Sequence, residues 1–234
     1  MRKSVMAAVF AALVPLALAS VPAEAVPMLV TSRAALGGND FIDWADLGPS
    51  ATFVSNPFTI TSQNGLIVDV SHAGFGDFQR REQGMNINGD FAPGDALLFT
   101  LRDGAPISLE FDDLVFGGGA QIQRDAFGAF TATIEAFDAA NQSLAFFEIS
   151  GESWNRGDNS AMFLGILDLE RSIGRIEIGL TTDNRPFLIN RFDIVGPPPP
   201  PTAVSEPGTL ALLGASLLGL IVQRRRQAAD ATSF

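Results

Sequence analysis

The chain has 234 residues, 47% of them hydrophobic, a formal net charge of −11, no cysteine and a single histidine, His72. Without cysteine there are no disulfides, thiol nucleophiles or cysteine-ligated metals, and one histidine excludes every multi-histidine metal centre. Between residues 26 and 207 stand 10 arginines, no lysine and 24 acidic residues, a balance of −14; such a surface repels phosphate backbones and anionic headgroups, which argues against nucleic acid as a partner.

The N-terminal stretch reads as an address. Arg2 and Lys3 precede an apolar run over residues 5–18, and Ala23 and Ala25 then place small residues where a signal peptidase reads. A run so short, with those flanks, is a secretory signal peptide: an N-terminal signal helix over residues 1–25 that is removed on export. Cleavage is expected after Ala25, with Ala23 as the fallback, so the export translocon and signal peptidase are the first expected partners. Residues 26–196 remain, enough for one domain with its own core.

Ser32 is the expected N-cap of a short helix beginning at Arg33, ended by Gly37 and Gly38. From residue 41 to 195 the pattern is one of short β-like runs: 53–54, 58–61, 66–70, 97–101, 107–111, 127–137, 144–149, 162–167, 173–178 and 187–195. Asn64 and Gly65 predict a hairpin turn between the second and third runs, and residues 138–141 predict another. In the run 127–137, Phe130, Ala132, Ile134 and Ala136 fall on one face at period two, which makes that face the predicted core side. Turn signals every 8–12 residues or so, with no long amphipathic helix, predict an all-β fold, an antiparallel β-sandwich of jelly-roll type. The 19 phenylalanines and absence of tyrosine suit a core that needs aromatic bulk and has no hydroxyls to satisfy.

Five prolines at positions 197–201 open a linker over residues 197–203, a stiff polyproline II rod rising about 3.1 Å per residue. The segment 204–226 follows in three parts: Ser205, Glu206 and Pro207, then 14 uncharged residues over 209–222, then Arg224, Arg225 and Arg226. As a helix the uncharged run is about 21 Å long at roughly 1.5 Å per residue, against a bilayer core of about 30 Å. It is therefore expected to be a short transmembrane helix built for brief retention, with the three guanidinium groups as a membrane stop. Residues 227–234 are a polar tail.

This tripartite end resembles the PEP-CTERM sorting signal: a Pro-Glu-Pro motif, an apolar helix and an arginine cluster. Glu206, Pro207 and the stretch 209–214 match it, and Ser205 stands where the first proline is usual. The resemblance implies processing by exosortase, a membrane-embedded thiol transpeptidase. The stretches 43–48, 88–95, 117–123, 127–138, 160–166 and 189–193 are in turn similar to a recurrent ectodomain found ahead of this signal. That similarity implies a β-sandwich ectodomain and brings no catalytic residue with it.

Candidate chemistry within the domain is sparse. No Gly-x-Ser-x-Gly elbow accompanies His72. Asp112 and Asp113, as neighbours in one strand, would point to opposite faces and so fail as a glycosidase pair. The glycine run 117–119 lacks the Lys-Ser or Lys-Thr of a phosphate loop and is expected to form a bulge or tight turn. Oxygen-rich loops offer Asn86, Asn88, Asp90, Asp95 and Asp158 as calcium ligands, without EF-hand spacing and against a background of ordinary turn chemistry. Trp44 and Trp154 read first as core tryptophans; as candidates to stack on sugar rings, Trp154, in a polar run, is the better placed of the two. The expectation is an exported, non-enzymatic protein with no cofactor, held briefly at the inner membrane and then passed to the cell surface, outer envelope or matrix in association with exopolysaccharide. The alternative is a carbohydrate-binding module, calcium-assisted, with a polysaccharide partner.

Overall fold

The computed structural model describes residues 26–181 and 185–198. The signal segment, the sorting segment and the arginine stop lie outside the described residues, and among those described no helix is long and apolar enough to cross a membrane. Chain order gives β1 (Met28–Val30), α1 (Arg33–Leu36), β2 (Asp40–Ile42), β3 (Phe53–Val54), β4 (Phe58–Thr61), β5 (Ile67–His72), β6 (Phe78–Glu82), β7 (Ala96–Phe99), β8 (Ile107–Val115) and β9 (Gly117–Arg124). There follow β10 (Gly128–Phe137), β11 (Ser143–Ser153), β12 (Met162–Leu167), β13 (Ile173–Leu180), β14 (Phe187–Ile189) and β15 (Phe192–Val195).

These strands form two antiparallel sheets. The first runs β1-β12-β9-β14-β7-β6-β3, with β15 bridging β9 to β2; the second runs β11-β10-β13-β8-β5-β4. They sandwich one core, in which Ile122, Leu164, Phe187 and Ile194 of the first sheet meet Val70, Leu109, Ile134 and Ile178 of the second. The all-β sandwich expectation thus holds.

The second sheet follows elementary strand logic. Along β10, Phe130, Ala132, Ile134 and Ala136 are all buried, because alternate side chains point to the same face. The β4–β5 hairpin turns at Asn64 and Gly65, where Gly65 has φ 96°, a region nearly closed to residues with a Cβ. Helix α1 ends as expected too: the Ser32 side chain accepts from the Ala35 amide and Gly37 is left-handed.

The first sheet departs from expectation at its centre. Glycines 117–119 form neither a bulge nor a tight turn but the opening of β9, the strand flanked by β12, β14 and β15. A Cβ on Gly119 would sit 2.5 Å from the Gly165 Cα and the Leu164 oxygen, and one on Gly118 2.6 Å from the Phe192 ring. The glycines let neighbouring backbones and a core ring close over this strand, which is one of the physical uses of glycine in a sheet.

The run 187–195 is also two strands rather than one. Asn190 breaks it, and its side chain repairs the break: the Asn190 N–H donates to the Gln121 carbonyl (3.1 Å), and the Gln121 N–H donates to Asn190 Oδ1 (3.0 Å). A side-chain oxygen stands in for a ladder carbonyl while the chain shifts from β7 towards β2.

Candidate functional site

Along β9, Ala120 and Ile122 face the core, whereas Gln121 and Gln123 face outward and are nevertheless buried. What covers them is two irregular segments, 83–95 and 154–161. Phe91 and Ile87 of the first and Ala161 of the second pack with Leu97, Phe99 and Leu188 into a separate apolar cluster on the outer side of the sheet. Apolar cover alone would leave the glutamine amides unsatisfied at a cost of about 1–3 kcal/mol each. They are instead bonded to the covering loops: Gln121 Nε2 donates to the Ala161 oxygen (2.9 Å), Gln123 Nε2 to the Trp154 oxygen (2.6 Å), and Gln123 Oε1 accepts from the Asp90 amide (2.7 Å).

The site sits where these loops meet the β9–β10 connection, which crosses from the first sheet to the second. That connection presents Phe127, stabilised by the Arg124 guanidinium, whose Nη2 donates to the Phe127 carbonyl at 2.6 Å. Trp154 leaves the end of β11 beside it. The two rings are near-parallel, with centroids 6.2 Å apart and an interplanar angle of 18°. Phe127 is 61% exposed and Trp154 38% exposed, and the Arg156 guanidinium lies 5.8 Å from the Trp154 ring centroid. Next to this aromatic ledge opens a cleft of about 190 Å³, with Phe91 and Leu188 as apolar lining and Asn88, Arg124 and Asp125 as polar lining. Desolvation lifts the Asp125 carboxyl above its ordinary value, opposed by the nearby Arg81 guanidinium.

An aromatic ledge beside a cleft that offers an amide, a guanidinium and a carboxylate has a definite chemical capacity. It presents rings to the C–H face of a sugar and donors and acceptors to its hydroxyls.

The residues singled out from sequence fall in different places. Trp154 is in the ledge. Trp44 is fully buried, its indole N–H donating to the Asn190 carbonyl at 2.8 Å, so it presents no ring to a ligand and serves the core. Four of the five candidate oxygen donors hold protein partners. Asp90 is 1% exposed, with its two oxygens accepting from the Trp154 and Arg156 amides. Asp95 Oδ2 accepts from Asn190 Nδ2 (3.0 Å), Asn86 Oδ1 accepts from the Glu82 amide (2.9 Å), and Asp158 Oδ1 accepts from the Ser160 amide (3.1 Å). That last hydroxyl-bearing turn also holds the Asp158 carboxyl below its ordinary value. Asn88 lines the cleft. Among the described residues, no three His, Cys, Asp or Glu side chains are grouped to hold a metal ion.

Asp112 Oδ1 accepts from the Ile67 amide and Asp113 pairs with Arg171. His72 is buried against Phe78, ring centroids 4.6 Å apart, and its Nδ1 accepts from the Gly74 amide (3.0 Å). Phe127 and Asp125 escaped the sequence reading as site residues. The available signal was a bulky phenylalanine just before a glycine at a strand junction, a place where core aromatics do not belong.

Residues 203–226 match the PEP-CTERM protein-sorting motif, so the chain carries that sorting signal. Exosortase-type processing is what such a motif implies in general. No curated protein matches the sequence. Three solved β-domains resemble the structure loosely. A DUF4465 family protein from Bacteroides caccae has 13% identity and a TM-score of 0.35 over 72% of this chain and 99% of the other. TmCBM61, solved with β-1,4-galactotriose, has 13% identity and a TM-score of 0.35 over 56% and 88%. CsCBM6-3 from Clostridium stercorarium, solved with cellobiose, has 12% identity and a TM-score of 0.28 over 55% and 93%. Superpositions this loose carry no argument about ligand or activity.

Proposed function

We propose that this is an exported, non-enzymatic glycan-binding protein of the cell surface or extracellular matrix, which associates with exopolysaccharide through the Phe127–Trp154 ledge and its cleft. The carrying observation is a pair of exposed, near-parallel aromatic rings, of which Phe127 also lines a cleft that carries Asn88, Arg124 and Asp125. In this reading residues 1–25 direct export and are removed after Ala25. Residues 26–196 form the binding domain. Residues 197–203 space it from the membrane, and residues 204–226 hold it there as a short transmembrane helix until exosortase acts at Ser205, Glu206 and Pro207. The acidic body favours neutral glycans over polyanionic ones, since like charges repel at the approach.

Two measurements test the two halves separately. Glycan-array binding of residues 26–196, with and without chelator, should be lost on Trp154→Ala and unaffected by chelation; retention of binding by the variant would place the ligand elsewhere. Removing a stacked aromatic from a sugar site should weaken binding by at least about tenfold, the equivalent of roughly 1.4 kcal/mol. Mass spectrometry of the mature termini tests the sorting half: protein recovered outside the cell with Arg224–Phe234 intact would refute processing, and Glu206→Ala should leave the protein in the inner membrane.

A further inference from the structure

The ledge needs a reason to stay where it is. Trp154 opens an eight-residue irregular segment, and a surface loop of that length ordinarily samples many conformations. Here Gln121 and Gln123 hold two of its carbonyls, and one residue, Asp90, takes three of its amides. Asp90 Oδ2 accepts from the Trp154 amide (2.7 Å) and Asp90 Oδ1 from the Arg156 amide (3.0 Å). The Asp90 carbonyl accepts from the Ala161 amide at the far end of the segment (3.0 Å), and the neighbouring Gly89 carbonyl accepts from the Gly157 amide (2.8 Å). Asp90 is in turn fixed through its own amide, which donates to Gln123 Oε1, while the other end of that glutamine holds the Trp154 carbonyl. Gln83 closes the arrangement on the other side, accepting from the Gly89 amide and donating to the Gly89 carbonyl.

We infer that Asp90 is the positioning residue of the binding site, a buried buckle that locks the Trp154–Ala161 segment onto β9 and so fixes the ring of Trp154 beside Phe127. The inference rests on the glycan-binding reading for its purpose but not for its physics. Both carboxylate oxygens go to backbone N–H groups of the segment that bears the ledge. An asparagine can accept through only one of its two terminal atoms; the other would face an amide N–H with its own N–H₂. Asp90→Asn therefore breaks one of the two clasps at nearly constant volume, and Asp90→Ala breaks both. The closest distinction from a merely structural aspartate is spatial: the disturbance should be confined to the segment and felt at Trp154.

Tryptophan fluorescence reads this directly. The chain has two tryptophans; Trp44 is fully buried and Trp154 partly exposed, so iodide quenching reports on Trp154. In the folded 26–196 domain, Asp90→Asn should raise the iodide quenching constant and shift the emission to the red, and Asp90→Ala should do so further. A control of comparable core disturbance, Ser62→Ala, removes a buried hydroxyl bonded to Asp40 and the Leu66 amide at the β4–β5 turn, and should leave the Trp154 signal unchanged at equal loss of thermal stability. With cello-oligosaccharide and β-1,4-galactan as neutral probes, any binding by the wild-type domain should fall at least about tenfold in Asp90→Asn, the consequence of losing a hydrogen bond to a carboxylate that orders the site. Wild-type quenching and emission in both Asp90 variants would overturn the inference whatever the sugar result. Altered Trp154 signals with no wild-type binding to either probe would uphold the buckle and count against the glycan reading instead.

Discussion

The two sheets share a core yet treat their outer faces in opposite ways. The outer face of the β11-to-β4 sheet is open to solvent and obeys period two, with Glu148, Ser150 and Glu152 of β11 exposed between partly buried neighbours. The outer face of the β9 sheet is roofed by loops over an apolar cluster, and beside it Gln121 and Gln123 are buried and bonded. An open face needs only alternation. A roofed face needs every polar group on both sides of the seam to find a partner, and that requirement is where the aromatic ledge acquires a fixed position.

The contrast predicts that the roofed sheet is the more brittle. Gly119→Val drives a branched side chain into the Gly165 and Leu164 backbone. Backbone cannot step aside as a side chain can, so the loss should exceed about 4 kcal/mol, in the range reserved for severe overpacking. Chemical denaturation would show it, or a failure to accumulate folded protein. In the open sheet, Ile134→Ala removes a fully buried side chain at the centre of β10 and should cost about 2–5 kcal/mol, with the fold retained. A valine at Gly119 that costs less than the alanine at Ile134 would reverse the comparison.

The same contrast explains what could be read from the sequence. Strands β3, β4 and β12 were legible to their end residues, and β10 and the β4–β5 hairpin nearly so, because hydrophobic alternation and an Asn-Gly turn act locally. Strand β9 was not legible. Its glycines look like turn residues until β12 and β15 are known to crowd them, and its glutamines look like solvent-facing residues until the roof is in place. Strand β6, Phe-Gln-Arg-Arg-Glu, hid for a related reason: Gln79 and Arg80 are buried in it. Of the site, Trp154 could be found from its polar surroundings, whereas Asp90 read as a calcium ligand because a buried buckle and a loop ligand draw on the same residue type.

Where the sheets meet at one margin, His72 of β5 packs on Phe78 of β6, and this contact should respond to pH. Burial lowers the His72 pKa below its ordinary value, with the Asp103 carboxylate partly opposing. The folded state therefore binds this proton less tightly than the unfolded chain does. The resulting stability is complete above the unfolded value of about 6.5 and is lost as pH falls below it. Protonation would also fill Nδ1, the atom that accepts from the Gly74 amide. Thermal melts should thus show a fall in stability from pH 7.5 to pH 5 that is shallower in His72→Gln. An identical pH slope in the variant would assign the acid sensitivity to other groups.

The smallest expected effect lies on the open face and concerns charge. Its cross-strand register sets Asp69 opposite Glu110 and Glu135 opposite Glu177, and like charges directly opposite in a sheet are unfavourable. Each has partial relief: Thr59 Oγ1 donates to Asp69, Ser143 Oγ donates to Glu135, and Arg175 pairs with Glu177. Because solvent screens such a surface, the residual cost is modest, and Glu135→Lys should raise stability by about 0.2–1 kcal/mol. Added salt should narrow the gap between variant and wild type, since screening relieves the wild-type repulsion and weakens the new attraction alike. No comparable gain is available on the roofed face. There, a change at Gln121 or Gln123 removes a partner that the loops cannot replace. A stabilising substitution at either glutamine would show that the roof is held by its apolar cluster alone.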